Sequence, residues 1–247
     1  MFTIRKSIIR FLSFVFNKYF DLYTGGRQRP VFFDIDQTSQ KLRILERNFD
    51  SIRAEVDELL NAPKKLKRYH EIDALQFKIS AVENPQRSWK VFMLYMMGEF
   101  SSEALTSCPQ TCSLLKQIPG IYQCFFSILD AQKNIPAHNG SYRGYLRYHL
   151  GLKVPTTNPP FIRIKDQFYT WTESGSILFD DSWNHQVTNE CNSERIILVV
   201  DIYRPLPRVP AKVNYLLSHH LIKKFYAEKI LEKISTETSI TTEQPGY

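Results

Sequence analysis

HNGSYRGYLRYHLGL, residues 138–152, contains the alternation that decides the architecture. Successive side chains of a strand point to opposite faces. On that period Tyr145, Arg147, His149 and Gly151 share one side, and Leu146, Tyr148, Leu150 and Leu152 share the other. The leucine side is a face that packs on a core. The arginine and histidine side is the wall of a polar pocket.

Other short β-rich runs surround this strand, at residues 121–129, 161–165, 167–171, 176–179 and 195–202, separated by Pro, Gly, Asn and Asp. Short strands with frequent turn signals predict an antiparallel sandwich or jelly roll. Upstream the pattern changes. Leu42, Leu45, Phe49, Ile52, Val56 and Leu59 recur at helical spacing over residues 38–61, stopped by Pro63. Residues 89–95, WKVFMLY, read as a buried strand, and residues 102–117 as a second helix ended by Pro119-Gly120. A last helical pattern runs over residues 213–234 with Lys223, Lys224, Lys229 and Lys233, and the polar segment after it is expected to be disordered. The expected class is therefore α+β. Its parts are an N-terminal segment (1–30), a mainly helical lead-in (31–120), a β core (121–210), a C-terminal helix (211–235) and a tail (236–247).

The 247 residues carry a net charge of +7. A basic balance points to an anionic partner surface, nucleic acid or phospholipid. The basic residues are scattered and form no recognisable nucleic-acid-binding module, so no nucleic-acid partner is expected. The cysteines, Cys108, Cys112, Cys124 and Cys191, form no paired CxxC modules, and reduced thiols in the cytoplasm are the plain reading. In the N-terminal MFTIRKSIIRFLSFVFNKYF, the longest uncharged run covers residues 11–17. That is far short of the roughly 20 residues a membrane span needs. Apolar residues at helical spacing there, interleaved with Arg5, Lys6, Arg10 and Lys18, suit either a helix lying on an anionic membrane or one packed on the domain's own flank.

No GxSxG elbow, P-loop or GxGxxG motif is present, which leaves serine-hydrolase and nucleotide-binding chemistry without support. His138, His149 and His185 stand in or beside strand ends, together with Arg147 and Arg195; His219 and His220 look incidental. A jelly roll with such residues suits one kind of chemistry. Imidazoles hold Fe(II), leaving open positions for an anionic cosubstrate and oxygen, and an arginine grips the far carboxylate of that cosubstrate through paired hydrogen bonds.

Three segments occur in order: IPAHNGSYRGYLRYHLGLKVP, FYTWTESGSILFDDSWNHQVTNE and RIILVVDIYRP. Together they resemble the aspartyl/asparaginyl β-hydroxylases, Fe(II)- and 2-oxoglutarate-dependent oxygenases with a double-stranded β-helix fold. The resemblance runs from about Ser127 to Pro205, about a third of the chain. It implies His138 and His185 as iron ligands and 2-oxoglutarate and O2 as cosubstrates. Gly140 stands where many related oxygenases place an acidic ligand, a departure this family shares. Arg195 and Ser127 match residues that hold the distal carboxylate of 2-oxoglutarate, and Arg147 and His149 match a pair near its metal-bound end. Asp181 is read as an acceptor that orients a ligand or bound water, with a turn or capping aspartate as the equal alternative. Trp89 is read as a core tryptophan, with a residue bordering the pocket as the other reading. Ser174 replaces a glycine frequent in the family, and Gly175 is expected to take over its role.

YRGYLRYHLGLKVP and VDIYRP look closer to the lipid A hydroxylase branch. The expected substrate is therefore a lipid acyl chain, with an aspartyl or asparaginyl residue of a peptide, or a small molecule, as alternatives. A non-catalytic jelly-roll binding protein is the competing class. No obligate protein partner is evident. The expected location is cytoplasmic, with peripheral contact at the inner face of the cytoplasmic membrane.

Overall fold

The structure, a computed structural model, describes residues 2–81, 84, 86–228 and 230–234. The tail expected at residues 236–247 lies outside the described residues. Helix α1 spans Phe2–Thr24. The single helix expected over residues 38–61 is instead a chain of short pieces. These are α2 (Ile35–Ser39), a 3-10 turn at Gln40–Leu42, α3 (Arg43–Arg47) and α4 (Phe49–Leu60). The last break is at Asn48, which leaves the helical region at φ −114°, ψ 28°. Its side-chain amide donates to Ile44 O at 2.7 Å, satisfying a carbonyl that the interruption frees.

Two single-turn helices follow, α5 (Tyr69–Ile72) and α6 (Phe77–Ser80). The helix expected at 102–117 is likewise two, α7 (Ser102–Ser107) and α8 (Pro109–Leu115). Pro109 disfavours helical geometry at the residue before it, and Cys108 accordingly sits at φ −137°, ψ 54°. The buried Glu55 on α4 caps α8, accepting from the backbone N–H groups of Gln110 (2.7 Å) and Thr111 (2.9 Å). The final helix starts earlier than expected, as α9 (Arg208–Leu217), and continues as a π-helix over Ser218–Ala227.

Among the described residues twelve strands build two sheets. In chain order they are β1 (Phe32–Phe33), β2 (Lys67–Arg68), β3 (Trp89–Met96), β4 (Glu99–Phe100), β5 (Ile121–Leu129) and β6 (Ile135–Asn139). Then come β7 (Tyr145–Lys153), β8 (Phe161–Ile164), β9 (Gln167–Thr170), β10 (Ser176–Phe179), β11 (Asn184–Thr188) and β12 (Arg195–Tyr203). The major sheet has the order β1-β10-β7-β12-β5-β3-β2, with β4 paired to β3, and the minor sheet β6-β11-β8-β9. From β5 onward the chain passes repeatedly between the two sheets, and every pairing is antiparallel. This is the jelly roll, or double-stranded β-helix, and with its helices the protein is α+β.

The period-two reading of β7 fixes which face goes where. Leu146, Tyr148, Leu150 and Leu152 pack with Leu198 and Val200 of β12 and with Leu45, Ile52 and Val56 of the helices. Tyr145, on the opposite face, packs with Ile197 and Val199 and with Ile162, Ile164 and Val187 of the minor sheet. Helices thus cover one side of the major sheet, and the minor sheet covers the other. The site lies on the second side.

One buried ion cluster ties the N-terminal segment to this core. Asp180, fully buried, accepts from Arg29 Nε at 2.8 Å and from the Ser182 hydroxyl at 2.6 Å, and faces Arg204 Nη2 at 2.6 Å. Burial works to raise the Asp180 carboxyl, but Arg204, Ser182 and Arg29 outweigh it and hold the group below its ordinary value. Replacing Asp180 by Ala strands two guanidiniums and is expected to cost about 3–5 kcal/mol in urea unfolding. Because the folded value is lowered, the carboxylate's contribution is complete above the unfolded value of about 3.9. It is lost as pH falls through the lower folded value. Unfolding of the wild type across that acidic window should therefore be steeper in pH than unfolding of Asp180→Ala.

Candidate functional site

His138 on β6 and His185 on β11 are directly paired in the minor sheet, with ring centroids 4.1 Å apart. Each ring is oriented by a carbonyl two residues before it: His138 Nδ1 lies 2.8 Å from Pro136 O, and His185 Nδ1 lies 2.9 Å from Trp183 O. A carbonyl oxygen only accepts, so both Nδ1 atoms carry the proton and both Nε2 atoms present a bare lone pair. Burial lowers the His138 imidazole and, with His138 as a neighbour, brings His185 down to about 3. Two neutral Nε2 donors side by side are the donor set for a divalent transition metal.

A third protein ligand has no room at position 140. Gly140 N–H donates to Asp181 O at 3.0 Å, and a Cβ on Gly140 would stand 2.6 Å from Asp181 Oδ1. Asp181, on the turn between β10 and β11, accepts from the Tyr145 hydroxyl at 3.0 Å through Oδ2, which also faces Arg147 Nη1 at 3.0 Å. Its Oδ1 is buried without a partner. Burial pushes this carboxyl up to about 7 against the pull of Arg147. No group of three His, Cys, Asp or Glu side chains arranged for a metal occurs among the described residues; the two Nε2 atoms are the donors this corner of the site could offer to one.

Across the pocket the major sheet presents the odd-numbered residues of β12, β7 and β5. Arg195 opens β12 and is 1% exposed. Its Nη2 donates to Ser127 Oγ at 3.1 Å, and its Cζ lies 4.7 Å above the Trp171 ring. No carboxylate among the described residues pairs with it, and Nε has no hydrogen-bond partner. Burial alone pushes this guanidinium down to about 9. Ser127 Oγ also accepts from Trp89 Nε1 at 2.9 Å. With both acceptor positions taken by N–H groups, the serine proton is left to donate into the pocket. Trp171 Nε1 and His149 Nδ1 are likewise buried without partners. His149 sits edge-on to Phe179 at 4.8 Å and is held neutral by burial, reinforced by Arg147 and Arg195.

Arg147 arrives already engaged. Nε and Nη2 donate to the two oxygens of Asp201 at 2.7 and 2.8 Å, and Nη1 faces Asp181. Gln123 donates to Asp201 Oδ2 at 2.6 Å. Only the remaining Nη hydrogens of Arg147 are left for a ligand.

The residues singled out in the sequence thus converge on one space. Ser127, Arg147, His149 and Arg195 come from the major sheet, His138 and His185 from the minor sheet, and Asp181 from the turn above them. One expectation is sharpened and one changes. Trp89 lies in the core and also borders the site, because its buried indole fixes Ser127. Gly175 does not take over for Ser174: Ser174 itself adopts the left-handed conformation at φ +58°, while Gly175 is required because a Cβ there would meet Thr172 Oγ1 at 2.3 Å. Trp171, Gln123 and Asp201 were not singled out, and Tyr145 only as a member of the polar face of its strand. For Asp201 the signal was present, as an acid inside the apolar run RIILVVDIY must be paired if that run is buried.

Residues 46–205 match the family described as Aspartyl/Asparaginyl beta-hydroxylase. The chain is 33% identical over 201 residues to the ornithine lipid ester-linked acyl 2-hydroxylase of Rhizobium tropici, covering 74% of this chain and 70% of that protein. It is 33% identical over 122 residues to the human aspartyl/asparaginyl beta-hydroxylase, which is 47% of this chain and 16% of that protein. Among solved structures, a Pseudomonas putida prolyl-4-hydroxylase is similar with a TM-score of 0.43 and 16% identity, covering 63% of this chain and 87% of that one.

Gly140→Ala is expected to cost about 1–3 kcal/mol by crowding Asp181. Gly140→Asp should bring no gain in metal affinity, whereas His138→Ala should abolish binding. Anaerobic calorimetric titration with Fe(II), alongside urea unfolding, checks all three variants.

Proposed function

Since the chain belongs to the aspartyl/asparaginyl β-hydroxylase family, and is in that sense a hydroxylase, we propose that it is an Fe(II)- and 2-oxoglutarate-dependent dioxygenase acting on an unactivated C–H bond. The observation that carries this reading is the buried Arg195 guanidinium, with no carboxylate partner among the described residues, on the sheet that packs against the one bearing the His138–His185 pair. A buried cation without a counter-ion costs several kcal/mol, and its persistence is rational if an anionic ligand completes it. A metal held at one end and a carboxylate at the other is the demand that 2-oxoglutarate meets.

In this reading His138 and His185 hold Fe(II) through Nε2. Bound there with 2-oxoglutarate and O2, the iron supplies C–H hydroxylation coupled to decarboxylation of 2-oxoglutarate to succinate and carbon dioxide. Arg195 and the Ser127 hydroxyl donate to the distal carboxylate, and Trp89 holds Ser127 so that its proton points that way. His149 and Trp171 offer further donors along the wall. Arg147, fixed by Asp201 and Asp181, adds positive charge near the metal end without being free to leave it. Asp181 stands where it can accept from a water in the position a third ligand would fill. The apolar residues around these groups exclude bulk water.

The proposed substrate is a fatty acyl chain of a membrane lipid. The similarity to the acyl 2-hydroxylase spans most of both chains, whereas that to the human enzyme covers a small part of its length. An aspartyl or asparaginyl side chain is the second reading. A lipid substrate implies a cytoplasmic enzyme working peripherally at the inner face of the cytoplasmic membrane. No described helix is long and apolar enough to cross one.

Anaerobic addition of Fe(II) and 2-oxoglutarate should produce a visible charge-transfer band, absent in His138→Ala. Arg195→Met should lose 2-oxoglutarate binding by at least about a hundredfold, the scale of a charge-assisted pair. It should also leave the ligand-free protein at least as stable as wild type, with a gain on the order of 1 kcal/mol. A well-folded wild type that binds neither component would sink the reading and leave a binding protein in its place.

A further inference from the structure

Twelve large hydrophobic side chains are exposed among the described residues, and they are not evenly spread. Four lie on α1, Phe14, Val15, Leu22 and Tyr23, and four on the C-terminal helix, Val209, Tyr215, Leu216 and Leu221. On each helix they share the exposed face with cations. Lys18 lies over Phe14, within the stripe Phe14, Lys18, Leu22. On the C-terminal helix, Val209, Lys212, Leu216, His220 and Lys224 recur at about one per turn, all exposed. Between Arg208 and Lys224 that helix carries no acidic residue, and the sole acid of α1, Asp21, is engaged by Arg143.

The two helices are tied to each other through the site. Asn17 on α1 donates to Ser141 O at 2.9 Å and accepts from Arg143 N–H at 2.9 Å. Asn214 on α9 donates to Gly144 O at 2.6 Å and accepts from the Tyr142 hydroxyl at 2.5 Å. Phe20 packs edge-on to Tyr142, with ring centroids 5.8 Å apart. Residues 141–144 are therefore gripped from both sides, and they are the link between His138 on β6 and Arg147 on β7.

We propose that α1 and the C-terminal helix form one docking face for an anionic phospholipid bilayer, joined to the mouth of the site through residues 141–144. Apolar side chains sharing a helix face with unopposed lysines are what an interfacial helix presents to anionic headgroups. A protein partner or a second copy would need no such excess of positive charge. The proposal names the surface at which a lipid substrate would be met and rests on the lipid reading above for its purpose. It is tested on metal-free protein, so its failure and the failure of the oxygenase reading are distinguishable.

The full chain is mixed with vesicles of phosphatidylcholine alone or phosphatidylcholine with phosphatidylglycerol, and bound protein is read by co-flotation. Binding is expected to the anionic vesicles and to weaken with salt. Lys212→Gln with Lys224→Gln should lower the partition coefficient about tenfold or more, and Leu22→Asn with Leu216→Asn by a similar factor. Circular dichroism and urea unfolding of the metal-free variants should match the wild type, which separates lost docking from lost folding. Equal binding to both vesicle types, or binding unaffected by either pair, overturns the proposal. So does a concentration-dependent dimer, seen by sedimentation, that both pairs of substitutions dissociate.

Discussion

A guanidinium with no counter-ion, buried at the first residue of β12, is the constraint around which the site is built. Arg195 sits at the start of a strand paired on both sides, opposite Leu129 of β5 and beside the end of β7. Its surroundings leave it positioned but not neutralised: a serine oxygen at one nitrogen and the face of Trp171 beneath its centre. A cation–π contact offsets only part of the cost of removing such a charge from water. The second indole, Trp89, does not touch the charge but holds the serine that does. Two tryptophans and one serine thus fix the direction of the arginine and leave Nε open. The contrast with Asp180 is instructive. There two buried arginines are matched to one carboxylate, and that cluster closes the fold rather than opening a site.

The two sheets divide the work. The major sheet, covered by helices on one side, gives rigid placement to the anion-binding groups. The minor sheet has four short strands, and it brings two histidines together by direct cross-strand pairing, which fixes their separation. The pairing slips by a residue between His185 and Val187, a bulge of the kind that re-aims a side chain beside a site. Both rings are then locked by carbonyls of their own chain, so the tautomer is set before any metal arrives.

How much of this could be read from sequence depended on how much apolar surface each element buries. β7 and β5 are nearly all buried, and their alternation or apolar run located them without help. β6 and β11 are five residues each with one or two fully buried positions, too few to register as a period, yet they carry the two histidines. Their histidines stood out as residues, but the pairing of His138 with His185 was legible only through the resemblance of IPAHNG and DDSWNH to known oxygenase segments. Helical periodicity ran through Asn48 and Cys108 because the apolar stripe continues across both breaks, while a side-chain cap and a following proline decide the backbone locally. Trp171 was visible as a residue but not as a site group, and Trp89 only as one of two readings. What makes each matter is a cross-strand or cross-sheet neighbour that only the fold supplies.

The same packing decides what position 140 can carry. Position 140 is pressed against Asp181 so closely that a Cβ would overlap its carboxyl oxygen. A carboxylate is nonetheless present, displaced from the strand to the turn and bound to Tyr145 and Arg147. Displacement changes its role. A directly ligating carboxylate would cancel one positive charge of the metal and close one position. At Asp181 the group instead shares Arg147 with Asp201, and burial keeps its affinity for a proton near the neutral range. Its Oδ1 is buried without a partner and adds an acceptor to the polar wall. Glycine at 140 is the residue that permits this arrangement, because any larger side chain would have to displace that carboxyl.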